Sequence, residues 1–192
     1  MFQIRIHGRS GQGNVTAAAI LSVAAFLEGR HAQAFPSFGV EHMGAPVVAF
    51  CRVADKEIRL REPVMEPDCL IVQEPTLIKS VDVFAGLRAG GYLLFNTSKA
   101  FAETPIQAVA DSLPKGHAIA VPATELARKH AGARPNAALL GAFAAVTGLV
   151  HPESVKRAIG QVFPGKTGAA NIATAMEAYE FAMAQERAPS AA

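Results

Sequence analysis

Cysteine is scarce in this 192-residue chain, occurring only at Cys51 and Cys69. Each sits in an apolar, strand-like run and neither belongs to a CxxC pair, so the sequence carries no signature of a zinc site or an iron–sulfur cluster. Both read as buried, reduced thiols. Charge is scarce as well. Charged residues make up 18% of the chain, the formal net charge is +2, and the basic residues are not clustered. That argues against a nucleic-acid partner. The first residues lack a charged segment followed by an apolar one, and no apolar run reaches membrane-spanning length uninterrupted. These absences imply a cytoplasmic protein that engages neither membrane nor nucleic acid.

What is present is apolar surface. Hydrophobic residues account for 51% of the chain, enough to bury a proper core at this length. Much alanine and few charges imply that part of the surface is covered by other chains of an assembly. No linker and no internal repeat divides the sequence, which reads as one domain over residues 1–186 with a frayed tail at 187–192.

Periodicity sets the order of elements. Residues 2–6 alternate like a half-exposed strand, and residues 14–28 form an apolar helix closed by Gly29 in the C′ position. A short strand follows at 31–35, then a long loop, PSFGVEHMGAP, bounded by prolines. Residues 46–53 and 56–60 read as a hairpin turning at Ala54-Asp55. CLIVQ (69–73) is a continuous apolar strand, and 76–87 reads as the helix after it. Further strands lie at 92–96 and 117–121, and helices at 124–130, 136–149, 152–162 and 169–185. Such alternation predicts an α/β protein, with a mostly parallel sheet flanked by helices and a helical C-terminal third packed on it.

The stretch HGRSGQGN joins the first strand to the first helix, with glycines at 8, 11 and 13. Its spacing is neither the dinucleotide fingerprint nor a Walker loop, and no acidic residue ends the second strand, so a Rossmann-type NAD site does not fit. Glycines still allow a backbone to approach an anion at a helix N-terminus, with Ser10 or Asn14 as the cap and Arg9 and His7 as added donors. A tight turn serving only backbone angles and close helix packing explains the same glycines. His7, His31 and His42 lie on three separate segments without metal-ligand spacing. Glu41 and Asp68 could act as acid or base but have no partner in sequence. Asn136, at the start of an apolar helix, reads as its cap or as a ligand donor. No catalytic residue and no metal site emerges.

Three segments together resemble one family: HGRSGQGNVTAA, AQAFPSFGVEHMGAPVVAF, and EPDCLIVQEPTL with its downstream strand YLLFNTSK. Their pattern is similar to the gamma subunit, or gamma domain, of 2-oxoacid:ferredoxin oxidoreductases, the pyruvate:ferredoxin oxidoreductase group, and PNAALLGAFAAVTG resembles its C-terminal region. The resemblance implies a subunit of an enzyme that oxidatively decarboxylates a 2-oxoacid, passes the acyl group to coenzyme A and sends electrons to ferredoxin or another acceptor. Thiamine diphosphate, magnesium and iron–sulfur clusters would sit on partner alpha, beta and ferredoxin-like subunits. It also implies that Arg9, Ser10, Gly11, Gln12 and Gly13 meet coenzyme A. Family members commonly carry glycine where this chain has Ser10, and arginine within the stretch matching Glu41-His42-Met43-Gly44. A free-standing nucleotide-binding α/β protein and a purely structural interaction subunit are the rival readings.

Overall fold

The structure, a computed structural model of the chain, describes residues 1–37 and 42–187. Six strands form one sheet in the order β2-β3-β1-β4-β5-β6. They are β1 (Phe2–Arg9), β2 (His31–Pro36), β3 (Pro46–Ala54), β4 (Cys69–Val72), β5 (Tyr92–Asn96) and β6 (Ala118–Val121). β1, β4, β5 and β6 run parallel, while β3 is antiparallel to both β1 and β2. The expected α/β architecture with a mostly parallel sheet holds, and the antiparallel pair is confined to one edge.

The helices are α1 (Asn14–Leu27), α2 (Gln107–Asp111), α3 (Ala123–Arg128), α4 (Pro135–Thr147), α5 (Pro152–Val162) and α6 (Gly165–Arg187). α1 and α4 contain no charged residue and are rich in alanine and leucine, strong helix formers that suit a buried helix. They pack with α5 and α6 on one sheet face, against Ile4, Ile6, Cys51, Cys69, Ile71, Leu94, Ile119 and Val121. The helical C-terminal third is therefore continuous with the sheet's main core. Cys51 and Cys69 lie either side of Ile4 in the ladder and are free and buried. Burial pushes the Cys51 thiol up to about 12 and that of Cys69 well above its usual value.

The opposite face is closed differently. Over β4 and β5 a smaller core forms around Leu70, Val72, Leu93 and Phe95, covered by Leu77, Val83 and Ile106. Over β1 and β3 two buried arginines do the work of a helix layer. Arg5 donates to the carbonyls of Val64, Met65, Val83 and Ala85. Arg52 donates to those of Glu62 and Pro63 and to the side chains of Gln3 and Gln33.

Two expected elements do not form. Residues 76–87 are not an α-helix: a 3-10 turn covers Pro75–Lys79, and Arg5 draws the Val83 and Ala85 carbonyls away from helical partners. Residues 56–60 are not a strand, and no hairpin turns at Ala54-Asp55. Both edges of β3 are already occupied, by β1 and by β2, so its ladder has no room for a further strand. The short helix α2 was not expected. Residues 188–192, most of the expected tail, lie outside the described residues.

α4 and α6 touch backbone to backbone at Gly141, where an added Cβ would stand 1.8 Å from the Ala175 carbonyl oxygen. Gly141→Ala should destabilise the chain by about 3 kcal/mol, because backbone rather than a flexible side chain must move. Gly160, on α5, faces open space with Ile172 at ordinary contact distance. Gly160→Ala should stabilise by roughly 0.5–1 kcal/mol through helix propensity. Chemical denaturation of the two variants should show shifts of opposite sign.

Candidate functional site

The parallel strands β1, β4, β5 and β6 end on one edge, where open α/β sheets place their ligands. The glycine loop leaves β1 there. Gly11 and Gly13 adopt φ of +89° and +81°, the left-handed region that glycine enters without penalty. No other residue type among the described residues has positive φ. Ser10 is thus in ordinary backbone conformation, and serine in place of the family's glycine costs the turn nothing. Gly8 serves close approach instead: its Cβ would lie 2.2 Å from Oδ1 of Asn14.

The loop carbonyls are held by side-chain donors, one from the neighbouring α1 and three from remote parts of the chain. Nδ2 of Asn14 donates to the Arg9 carbonyl at 3.3 Å, and an Arg134 guanidinium nitrogen to that of Gly11 at 3.1 Å. Nε2 of Gln73 donates to the Gln12 carbonyl at 2.5 Å, and Nδ2 of Asn136 to that of Gly13 at 3.1 Å. A trans peptide points its N–H opposite to its C=O. Fixing the Gln12 and Gly13 carbonyls inward therefore turns the amides of Gly13 and Asn14 outward. Neither these amides nor that of Gly11 has an acceptor among the described residues. Successive outward amides at the start of a helix form an anion-binding nest.

Side chains complete the rim. Arg9 donates to the Gly44 carbonyl and to Oγ1 of Thr76. Gln12 accepts from the Arg9 amide and donates to Glu74, which also accepts from Thr76. Burial alone would raise the Glu74 pKa, but the hydrogen bonds from Thr76 and Gln12 and the nearby Arg9 charge outweigh it and hold the carboxyl below its usual value. A cleft of about 610 Å³ opens beside the loop, bounded by Gly11, Gln12, Glu74, Lys99, Glu125 and Arg134 among others. It can accept an elongated, partly anionic ligand, with Lys99 and Arg134 as cations.

The structure brings Arg9, Ser10, Gly11, Gln12 and Gly13 together as one turn, as chain continuity requires, but rearranges their expected surroundings. Neither Ser10 nor Asn14 caps α1. Gly13 stands at the N-cap without a side-chain bond, while Asn14 reaches back to Arg9. Asn136 does not cap α4 either, since Arg134 holds the N-cap position. His7 is not a loop donor: it is buried, and Nε2 accepts from Nε of Arg5. Asp68 accepts from the Gln3 amide and from Arg88 at the far end of the sheet, which leaves it no acid–base role at the loop. Glu41 lies outside the described residues, and His42 and Met43 are exposed. The ladder places His7 and His31 near opposite ends of the strands, and no cluster of metal-ligating side chains occurs among the described residues.

Sequence reasoning passed over Gln73, Asn96 and Arg134. A signal was available for two of them. CLIVQ and YLLFN are apolar strands that each end on an amide, Gln73 and Asn96. Asn96 donates to the Gln73 carbonyl and to Thr124 and accepts from the Thr124 amide, so it braces the residue that braces the loop. Three of the amides carry an orphan. Asn14 Oδ1, Gln73 Oε1 and Asn136 Oδ1 are buried without a hydrogen-bond partner among the described residues, at a cost of about 1–3 kcal/mol each.

A family model described as pyruvate ferredoxin/flavodoxin oxidoreductase matches residues 3–181. The common gamma subunit of pyruvate/ketoisovalerate oxidoreductases from Thermococcus litoralis is 48% identical over 183 residues, covering 94% of this chain and 96% of its own. The crystal structure of the pyruvate oxidoreductase subunit PORC from Thermotoga maritima is 36% identical with a TM-score of 0.76, covering 93% of this chain and 95% of that one. A chain of the 2-oxoglutarate:ferredoxin oxidoreductase from Magnetococcus marinus, solved with 2-oxoglutarate, coenzyme A and succinyl-CoA bound, matches at a TM-score of 0.72. It covers all of this chain and 32% of that one, and at 16% identity the likeness is one of fold.

His7 makes the stability of the chain depend on pH. Burial, then the adjacent Arg5 cation, lowers its pKa from 6.5 to about 4. The imidazole is neutral in the folded chain, whereas the unfolded chain binds its proton below pH 6.5. This stabilisation is complete above that pH and is lost as the pH falls toward 4, amounting to about 2 kcal/mol between pH 7 and pH 5. His7→Gln should flatten the pH dependence of unfolding across that interval. A variant with the parent's slope would show that His7 protonates within the fold.

Proposed function

The chain belongs to the pyruvate ferredoxin/flavodoxin oxidoreductase family as a gamma subunit, and on that premise we propose that its glycine loop receives the phosphates of coenzyme A. The enzyme is a 2-oxoacid:acceptor oxidoreductase, which forms an acyl thioester from a decarboxylated 2-oxoacid and exports the electrons. Supporting the reading are the amides of Gly13 and Asn14, turned outward by the bonds to the Gln12 and Gly13 carbonyls, and the amide of Gly11, unpartnered among the described residues. They lie at the C-terminal edge of the parallel strands, beside a cleft of about 610 Å³.

The donor set of this chain does not fit the redox cofactors of the reaction. Its two cysteines are buried either side of Ile4, out of reach of a shared cluster. Thiamine diphosphate, magnesium and iron–sulfur clusters belong in this reading to alpha, beta and ferredoxin-like partner subunits, where they supply decarboxylation and electron export. This chain's own part is to hold the coenzyme. Backbone amides of the loop donate to phosphate oxygens, and Lys99 and Arg134 supply positive charge. Glu74, kept ionised, holds Gln12 in place from the other side.

Subunit contact follows from the surface. α1 has no charged residue, yet its outward face shows Phe26 at 73% exposure and Val15 at 41%, and Met43 beside the loop is 92% exposed. Val15 and Met43 at the ligand-bearing edge, with Phe26 at the far end of the same helix face, suit burial against a partner, so the loop would face the catalytic subunits as the complex assembles.

Gly11→Ala forces a side chain into a left-handed conformation without filling any space, since the nearest atom to the new Cβ is Sδ of Met43 at 3.9 Å. Strain of roughly 1–2 kcal/mol in the loop should raise the coenzyme A KM of the assembled complex about five- to thirtyfold. An unchanged KM in a correctly assembled complex removes the loop from the coenzyme site.

A further inference from the structure

The loop does not hold its own shape. It carries two left-handed glycines in three residues, and the carbonyls of Arg9, Gly11, Gln12 and Gly13 are each bonded by a side chain: Asn14 from α1, Arg134 and Asn136 from the start of α4, and Gln73 from the end of β4. Asn14, Gln73 and Asn136 are 2%, 3% and 1% exposed. Each donates through its amide nitrogen to the loop while its oxygen has no partner among the described residues. For packing alone such amides are a poor choice, because each leaves that buried oxygen without a partner at a cost an apolar residue would not incur on the side-chain side. Gly13 also retains a second bond to its carbonyl, from the Ala17 amide, so α1 begins without help from Asn136. What the amides add is direction: they fix which way the loop peptides face.

We propose that Asn136 and Gln73 are positioning residues for coenzyme A, holding the Gly13 and Gln12 carbonyls inward so that the amides of Asn14 and Gly13 stay aimed at the incoming phosphates. The proposal rests on the reading of the loop as a phosphate site. Neither residue touches the ligand; both act through the backbone. Loss of Gln73 leaves the Gln12 carbonyl without its donor and frees that peptide to rotate. Loss of Asn136 leaves the Gly13 carbonyl with the Ala17 bond alone and loosens its direction. In either case the nest loses preorganisation for the phosphates.

Coenzyme A and pantetheine share the reacting thiol, but only coenzyme A has phosphates. The experiment measures kcat/KM for both thiols in the assembled complex carrying Asn136→Leu, Gln73→Leu or Gly11→Ala. The leucine variants remove each donor together with its orphaned oxygen, which offsets part of the cost of the carbonyl bond lost, and two sites guard against one misfolding. The expected result is a loss of about tenfold with coenzyme A and little change with pantetheine, from KM rather than kcat. Equal loss with both thiols, or no loss with either, in the leucine variants overturns the proposal. If Gly11→Ala discriminates between the thiols and the leucine variants do not, the loop binds phosphate without these residues. If none of the three discriminates, the phosphate reading of the loop itself fails.

Discussion

The hydrogen bond from Asn136 to the Gly13 carbonyl links the start of α4 to the glycine loop across 123 positions of sequence, and it is one of the four side-chain bonds that hold the loop's carbonyls. α4 can make that bond because it is itself fixed. Nearly all of its residues are buried, α6 lies against it backbone to backbone at Gly141, and Asn171 on α6 accepts the amide of Arg134 at its N-cap. The helical C-terminal third is therefore more than a cover for the sheet. It places two donors, Arg134 and Asn136, over a loop made more than a hundred residues earlier. A rigid element supporting a flexible-backbone site is a general way to keep a binding loop in one conformation.

A second constraint operates on the other sheet face. Helices cover one side of β1 and β3, but the segments on the other side have no helical ladder to satisfy their carbonyls. Buried arginines meet that need. Arg5 and Arg52 between them bind the carbonyls of six residues within 62–85. A guanidinium has five donors in a planar fork and can serve several carbonyls at once. This explains why a stretch with helical spacing runs as turns, and why His7, beside Arg5, stays neutral and structural rather than joining the loop.

In the proposed reading, the chain as a gamma subunit separates binding from redox chemistry. Its thiols are buried and shifted upward, Glu74 beside the loop is tied by hydrogen bonds, and the cleft also presents Lys99, Glu125 and Arg134. Loop amides and cations of this kind can orient an anionic ligand. The exposed apolar residues Phe26, Val15 and Met43 fit that proposal, since a subunit holding one substrate would lie against those that react it.

The sequence by itself determined the strand-and-helix order, the apolar parallel strands, the glycine turn and the family, because local periodicity, glycine spacing and motif combination are written in contiguous residues. The C′ glycine after α1, at φ +77°, and the boundaries of α5 were legible for the same reason. Tertiary structure alone decided the rest. Residues 56–60 alternate like a strand, but whether a ladder edge is free for them depends on β2. Residues 76–87 have helical spacing, but Arg5, 78 and 80 positions from Val83 and Ala85, competes for their carbonyls. Asn14 and Asn136 sit where caps are expected, yet their amides bond the loop instead. Hydrogen-bond partners distant in sequence leave no local pattern, so the residues that make up the loop could be read from the chain, and those that hold it in shape could not.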